Sequence, residues 1–498
     1  MKLRSWISLG VLMAGSVAVP STQNGISEQR PLVRHGAQHQ DSRSSTFLAL
    51  LDSLETMQSH YFQLWQGTWP SSIDWTAAVL GTYLSAALSS VTSSIEYIID
   101  ASDERLEMEN LINKYFSQVI SFYFGQDSFS LRTQAYDDML WVVLGWIESI
   151  RFVTLHSSRH YHNGTYWYGR QFLPAFAHRA RVFYDLASRG WDTELCGGGM
   201  IWSPYLRPYK NAITNELFIT ASISMYLYFP GDNNTSPFIA GLPAGPHDPK
   251  HLSAAVNGYD WLSSSNMTNW RGLYVDGFHI RRGSRNKCDD RNEMVYTYNQ
   301  GVLLSGLRGL WEATGSTKYL DDAHSLAHSV IIATGWNTGT EGWAGLGRDG
   351  ILEEICDAGG YCSQNGQTFK GIFFHHLTAF CAPLPDLALF EASFAADEVL
   401  AQEHQRLCAS YQPWIIRNAR AAHATRDDNG NYGMWWGEHG QVENIPPGAD
   451  DIQNRRSLRE EQYDDGVQRD VNDRGRGRTV ETQGGGLAVL RAMWELTY

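Results

Sequence analysis

Two kinds of helical pattern alternate along this chain, and that alternation limits its fold more than any other feature. Six segments are apolar or small almost all round a helical wheel, beginning near Trp75, Asp137, Asn211, Asn299, Lys370 and Gln483. Such a helix needs neighbours on every side. Before each comes a segment with one charged face: Thr46 to Phe62, Ser102 to Ile120, Gln171 to Ser188, His251 to Leu262, Ser316 to Ile332 and Val399 to Ala421. Few stretches alternate with the period of two that a strand requires. Six buried and six half-exposed helices in alternation predict an all-α chain folded as an (α/α)6 barrel. Each buried segment opens on polar or small residues, so the six openings are expected to share one rim, where function would sit.

The remaining sequence bounds the domain and its setting. Residues 1–18 carry Lys2 and Arg4, then an apolar stretch to Met13 and the small-residue ending Ser16-Val17-Ala18, which reads as a cleavable secretory signal. Residues 19–44 are polar and read as a flexible arm, leaving 45–498 as one catalytic-sized domain. No other stretch is read as membrane-spanning and no long apolar tail closes the chain, so no membrane anchor is expected. Six cysteines without a metal-type pair of CxxC spacing point to disulfides in an exported protein, with pairing left open among 15 possibilities. Sequons stand at Asn163, Asn233, Asn234 and Asn266. The formal charge of −14 becomes −16 once Lys2 and Arg4 leave with the signal, which argues against nucleic acid or an anionic membrane as partner. Residues 438–478 carry dense charge and few apolar residues, which predicts a mobile surface insertion. A monomer is expected.

The strongest chemical constellation is Asp137-Asp138, flanked by Tyr136 and Trp141 at the head of an apolar segment. Cleaving a glycosidic bond takes two carboxyl groups, one to protonate the leaving oxygen and one to act as nucleophile or base. Repulsion between neighbouring carboxylates in a partly apolar cleft keeps one of them protonated, as a general acid must be. A helix N-terminus also favours acidic residues through its dipole, with no catalysis involved. A magnesium-binding DDxxD reading fails at its fifth position, Trp141. Gly197 to Gly199 and Gly484 to Gly486 lack the phosphate-loop ending and read as places where backbone approaches substrate. The Arg426 to Gly433 loop lacks the alternating ligands of a calcium loop. His375 and His376 read as packed histidines, and no metal or cofactor is expected.

The company of the aspartate pair is more specific. Cys196-Gly-Gly-Gly-Met-Ile-Trp202, Pro208-Tyr-Lys-Asn-Ala-Ile-Thr-Asn-Glu-Leu-Phe218, Leu273-Tyr-Val-Asp-Gly277, Tyr298-Asn-Gln-Gly301, Phe369-Lys-Gly-Ile-Phe373 and Thr482-Gln-Gly-Gly-Gly486 occur in that order. In this series the chain resembles glycoside hydrolase family 76 across residues 45 to 498. The resemblance implies an (α/α)6 fold, a retaining endo-α-1,6-mannanase acting on α-mannan, Asp137 as nucleophile and Asp138 as acid/base. Asn211, Asn299 and Gln300 would line the cleft, with ring faces from Tyr136, Trp202 and Tyr209. Asp276 reads as a hairpin-turn residue, with a sugar hydroxyl contact as its functional alternative. Two other readings stay open: a wall transglycosylase acting on the mannan core of GPI glycans, and a mannan-binding wall protein without catalysis.

Overall fold

The computed structural model describes residues 38–95, 102–162, 164–235, 243–280, 288–388, 390, 393–437, 470–473 and 475–497. Residues Ser45–Tyr498 form one compact unit. The expected signal segment and most of the arm lie outside the described residues. The end of the arm does not behave as expected, because residues 38–44 are already helical and open the first helix.

Among the described residues, twelve long helices carry the fold. The outer ones are α1 (Gln38–Thr56), α3 (Ser102–Gly125), α5 (Leu173–Ala187), α7 (Pro249–Ser264), α9 (Lys318–Ala333) and α11 (Glu398–Ala424). The inner ones are α2 (Asp74–Ser94), α4 (Tyr136–His160), α6 (Ala212–Tyr228), α8 (Thr297–Thr314), α10 (Gln364–Cys381) and α12 (Val480–Thr497). Each inner helix packs on the next in sequence and α12 returns to α2, which closes the ring. The expected alternation is therefore observed, although α10 and α12 begin before Lys370 and Gln483. Helix α4 is long and apolar enough to cross a bilayer, where the sequence led us to expect no such stretch, but 83% of its apolar window is buried inside the barrel.

Small residues set the spacing between layers. A Cβ on Gly486 would lie 2.3 Å from the Tyr432 ring, and one on Gly199 would lie 2.6 Å from the Trp261 indole. Gly198, Gly199, Gly484 and Gly486 thus pack against protein side chains, whereas a Cβ on Gly197 would meet nothing within 4 Å. Lys210 fills the same corner, its Nζ donating to the carbonyls of Asp192, Gly198 and Gly199 at 2.8, 2.7 and 2.6 Å.

Short strands brace the rim. β1 (Tyr209–Asn211), β2 (Gly277–Ile280) and β3 (Cys288–Asn292) form an antiparallel sheet in that order, and β4 (Gly347–Arg348) pairs with β5 (Ile351–Leu352). Asp276-Gly277 is therefore not a hairpin tip. Asp276 stands at a bend leading into β2, its N–H donating to Met294 O at 2.7 Å and its carbonyl accepting from Ala212 N at 2.8 Å.

The cysteines pair as Cys196–Cys288, Cys356–Cys362 and Cys381–Cys408. They tie the glycine loop to β3, close the loop ahead of α10, and clip α10 to α11. Asn233, Asn234 and Asn266 are exposed, as glycan acceptors must be. Of the charged insertion, 438–469 lies outside the described residues. Its expected end is too late, because from Asp470 the chain is built into the fold. Asn472 is buried and accepts the Trp435 N–H at 2.8 Å, and Arg478 donates to Thr425 O at 2.9 Å.

Candidate active site

All six inner helices open on the same rim, since each is entered from an outer helix running the other way. Helix α4 starts there with the aspartate pair. Asp138 reaches back to the Ala135 N–H at 3.3 Å and so caps the first turn. Asp137 takes an N–H on each oxygen: Oδ1 from the Asp138 backbone at 3.1 Å and Oδ2 from the Trp202 indole at 3.0 Å. Trp202 is fixed in turn by its backbone, donating to Tyr209 O at 2.8 Å and accepting from Tyr136 N at 2.9 Å. Both carboxyl groups are half-buried. Burial, then the charge of Asp138, holds Asp137 well above the usual carboxylate range. Burial pushes Asp138 up to about 6, opposed by the Ala135 N–H and assisted by the charge of Asp74. Groups this strongly coupled lose their protons in two steps that belong to the pair.

The other expected site residues divide into two sets. Trp202 contacts Asp137 through its N–H. Tyr209 and Asp276 meet each other, the phenol donating to Asp276 Oδ2, which also accepts from Asn292 Nδ2 at 3.0 Å. One face of Tyr209 is covered by His279, with ring centroids 4.1 Å apart. Tyr136 is buried, its ring packed against Gly190. Gln300 is spent on structure: Oε1 accepts from Tyr274 N at 2.8 Å, and Nε2 donates to Tyr274 O at 2.9 Å and Tyr296 O at 3.0 Å. Asn211 and Asn299 are buried rather than cleft-lining.

Asn299 shares with Glu216 a feature that sequence reasoning missed. Thr220 Oγ1 donates to Val302 O at 3.0 Å, pinning α6 to α8. About one turn earlier on each helix stand Glu216 and Asn299. Both are fully buried, and none of their four side-chain polar atoms has a protein partner. Burial, then the charge of Asp276, holds the Glu216 carboxyl well above its ordinary value.

A run of rings was also missed. Tyr298 stacks on Phe369 at 3.8 Å, Phe369 meets Trp75 at 6.4 Å, and Trp75 stacks on Trp141 at 5.7 Å. These rings come from the first two turns of α8, α10, α2 and α4 and border the mouth of the barrel. The Tyr298 hydroxyl is pushed up by burial, then by the charges of Asp276 and Asp137. The available signal was position: each ring lies within a few residues of a polar helix opening.

Among the described residues, metal-type side chains gather at His324-His404-Cys408 and at Cys356-Asp357-Cys362. The cysteines in both groups are disulfide-bonded, which removes the thiolate ligands. In the loop once compared with a calcium site, Asp427 spends its carboxylate on Asn429 N at 3.0 Å, Asn431 N at 2.8 Å and Asn431 Nδ2 at 3.0 Å.

Comparison with known proteins adds a family to this geometry. Curated relatives include the mannan endo-1,6-alpha-mannosidase DFG5 of Saccharomyces cerevisiae, 28% identical over 211 residues, which are 41% of this chain and 39% of the relative. DCW1 of Candida glabrata, of the same description, is 25% identical over 214 residues, covering 41% and 40%. The match spans only about two fifths of those relatives. Among solved structures, an inactive variant of the α-1,6-mannanase GH76A of Salegentibacter, with two consecutive aspartates replaced by alanine, is in complex with α-1,6-mannotetrose. It aligns at a TM-score of 0.56 and 17% identity, over 91% of this chain and 99% of that one. Dfg5 from Chaetomium thermophilum, in complex with glucosamine, gives 0.52 at 15% identity, over 85% and 81%. At these identities the likeness establishes the barrel fold. The sequence model of glycosyl hydrolase family 76 matches residues 168–449, a stretch that begins after the aspartate pair. With more than half of its length matched by that model, the chain belongs to glycosyl hydrolase family 76.

Proposed function

We propose that the protein is an exported, endo-acting retaining glycosidase that hydrolyses α-1,6-mannosidic linkages of α-mannan, with Asp137 as nucleophile and Asp138 as acid/base. The observation that carries this reading is the asymmetry of the pair: Asp137 receives an N–H on each oxygen, whereas Asp138 receives one, on Oδ2. Burial acts more strongly on Asp137, yet N–H donors stabilise the ionised form. Burial still leaves Asp137 raised further than Asp138; on the ground of its two donors we assign the anion to Asp137 and the proton to Asp138. Asp138 then protonates the leaving oxygen while Asp137 bonds to the anomeric carbon, and Asp138 next deprotonates the water that releases the sugar. Adjacent residues, with Cα atoms ~3.8 Å apart, suit the ~5–5.5 Å carboxyl separation of retaining enzymes better than the wider spacing of inverting ones. The consecutive aspartates replaced in the inactive mannanase variant support the same assignment. The mannanase names of the relatives support the substrate, and three disulfides support export to the cell surface or wall. We read the protein as a monomer.

The test is product stereochemistry. Proton NMR of a fresh digest of an α-1,6-mannan oligosaccharide should show the α-anomer first, and an initial β-anomer would remove Asp137 as nucleophile. With millimolar oligosaccharide acceptors added, hydrolysis products should still predominate. Predominant transfer would make the protein a transglycosylase.

The pair also sets a pH dependence. Catalysis needs Asp138 protonated, so kcat/KM should fall as pH rises through about 6, where Asp138 loses its proton. Asp74, which accepts from Gln134 Nε2 at 2.7 Å and Ser130 Oγ at 3.1 Å, adds negative charge beside Asp138. Removing that charge makes the Asp138 anion less unfavourable, so Asp74→Asn should move the alkaline limb to lower pH. An upward shift in the measured profile would contradict the placement of the proton.

A further inference from the structure

We propose that Trp65, Phe124 and Phe129 form a platform that binds the distal part of a polysaccharide chain outside the cleft, an inference that rests on the mannan-hydrolase reading. All three rings are strongly exposed, at 81%, 76% and 76%. They come from one corner of the rim. Trp65 tops the turn closed by Gln63 and Thr68, where Gln63 N donates to Thr68 O at 2.9 Å and Gly67 N to Gln63 O at 2.8 Å. Phe124 is next to last in α3, and Phe129 lies in the following one-turn helix, Ser128–Leu131.

The corner is built to hold these rings out. Either side of the turn, Phe62 and Trp69 are buried and pack together at 5.0 Å, and Trp69 packs on Phe122 at 5.1 Å. Gly67 has φ +69°, and a Cβ there would come within 2.2 Å of Ser121 O, so the turn is pressed directly onto the last turns of α3. Phe129 is steadied from below: Leu131 is fully buried, the Asp127 carboxylate caps Ser130 N at 2.9 Å, and the Arg132 guanidinium lies 5.4 Å from the Phe129 ring. Rigid exposure of three rings is unfavourable in water unless something covers them.

Continuity with the site says what covers them. Ser130, next to Phe129, donates to Asp74, and Asp74 accepts from Gln134, one residue from the Ala135 N–H that Asp138 holds. The platform thus borders the acid/base side of the cleft. Aromatic faces pack on the C–H face of a pyranose and leave its hydroxyls to water, whereas a protein partner would add charge or hydrogen-bonding complementarity that these three rings do not offer. A neutral hexose polymer long enough to pass beyond the cleft is the occupant.

The test separates the platform from the cleft. Trp65→Ala/Phe129→Ala in the full chain should raise KM for long α-1,6-mannan about tenfold, which is about 1.4 kcal/mol for the two rings together, and leave kcat and turnover of the tetrasaccharide unchanged. Carrying Asp137→Asn as well, the protein should lose its retardation in native gels containing mannan. Unchanged polymer KM together with retained retardation overturns the platform, and so does an equal loss on tetrasaccharide and polymer. If the substitutions change the sedimentation coefficient and not the retardation, the patch joins two copies of the chain instead. Should the wild type cleave no mannan, the functional reading fails, and the retardation alone judges the platform.

Discussion

Asp137→Asn and Asp138→Asn are each expected to lower mannan turnover by at least ~10³-fold while leaving the fold intact. Asparagine keeps the shape and an acceptor oxygen at each position, so Trp202 can still donate at 137 and Ala135 at 138. What is lost is chemistry: an amide at 137 cannot form the glycosyl ester, and one at 138 cannot pass a proton. The linkage sign says that stability will not fall. Both carboxyl groups have folded pKa values above their ordinary ones. Such groups contribute stability below the unfolded pKa that is lost as pH rises through the folded value, so at pH 7 both carboxylates weigh against the folded state. The asparagine variants should therefore unfold at or above the wild-type temperature at pH 7. Thermal unfolding and turnover measured on the same preparations decide it. Activity within tenfold of wild type in either folded variant would sink the assignment.

The barrel was legible because two periodic patterns could be told apart. Helices α2, α4, α6, α8, α10 and α12 lack a charged face, and only an inner ring accommodates six such helices. Element ends were less legible where the first turn is polar: Gln364 and Asn365 belong to α10, although apolar periodicity begins later. The aspartate pair was legible from its motif, and Trp202 from its neighbourhood, although its working part is the indole N–H rather than the ring face. Gln300 was misread because a polar residue at the mouth of a barrel can point into the cleft or bond adjoining loop backbone, as Gln300 does at Tyr274 and Tyr296, and the local sequence is the same in both cases. Glu216 was passed over because a carboxyl within an apolar run shows its environment only once α8 is packed beside it. The packing of Gly198, Gly199, Gly484 and Gly486 was not legible because the rings against them, Trp261, Tyr83 and Tyr432, are distant in sequence.

Lys370→Met should give the largest loss of stability of any single substitution considered. Lys370 is buried in the second turn of α10 and pairs with the fully buried Asp357, which also accepts the Glu354 N–H at 2.9 Å. Glu354 in turn takes the Thr297 N–H at 2.9 Å and the Thr297 hydroxyl at the head of α8. The ion pair therefore joins two inner helices at the rim. Methionine nearly matches the lysine stem in volume, so the loss is of charge rather than packing. Removing one member of a buried pair leaves the other uncompensated and costs about 3–5 kcal/mol. At about 2.1 cal/mol/K per residue, a unit of roughly 450 residues has an unfolding entropy near 1 kcal/mol/K, so the unfolding temperature should drop about 3–5 °C at pH 7. The deficit should shrink on acidification. Burial already holds Asp357 above its ordinary pKa with Lys370 beside it, and without that cation the carboxyl rises further. A group raised in this way costs stability only above its unfolded pKa, so at pH 4 the variant should approach wild type. Lys370→Met/Asp357→Asn, which leaves no buried charge, should recover most of the loss at pH 7. Thermal scans of the single and double variants at both pH values provide the check: a single variant melting within 1 °C of wild type at pH 7, or a double variant no better than the single, would mean that the charge pair does not hold the rim together.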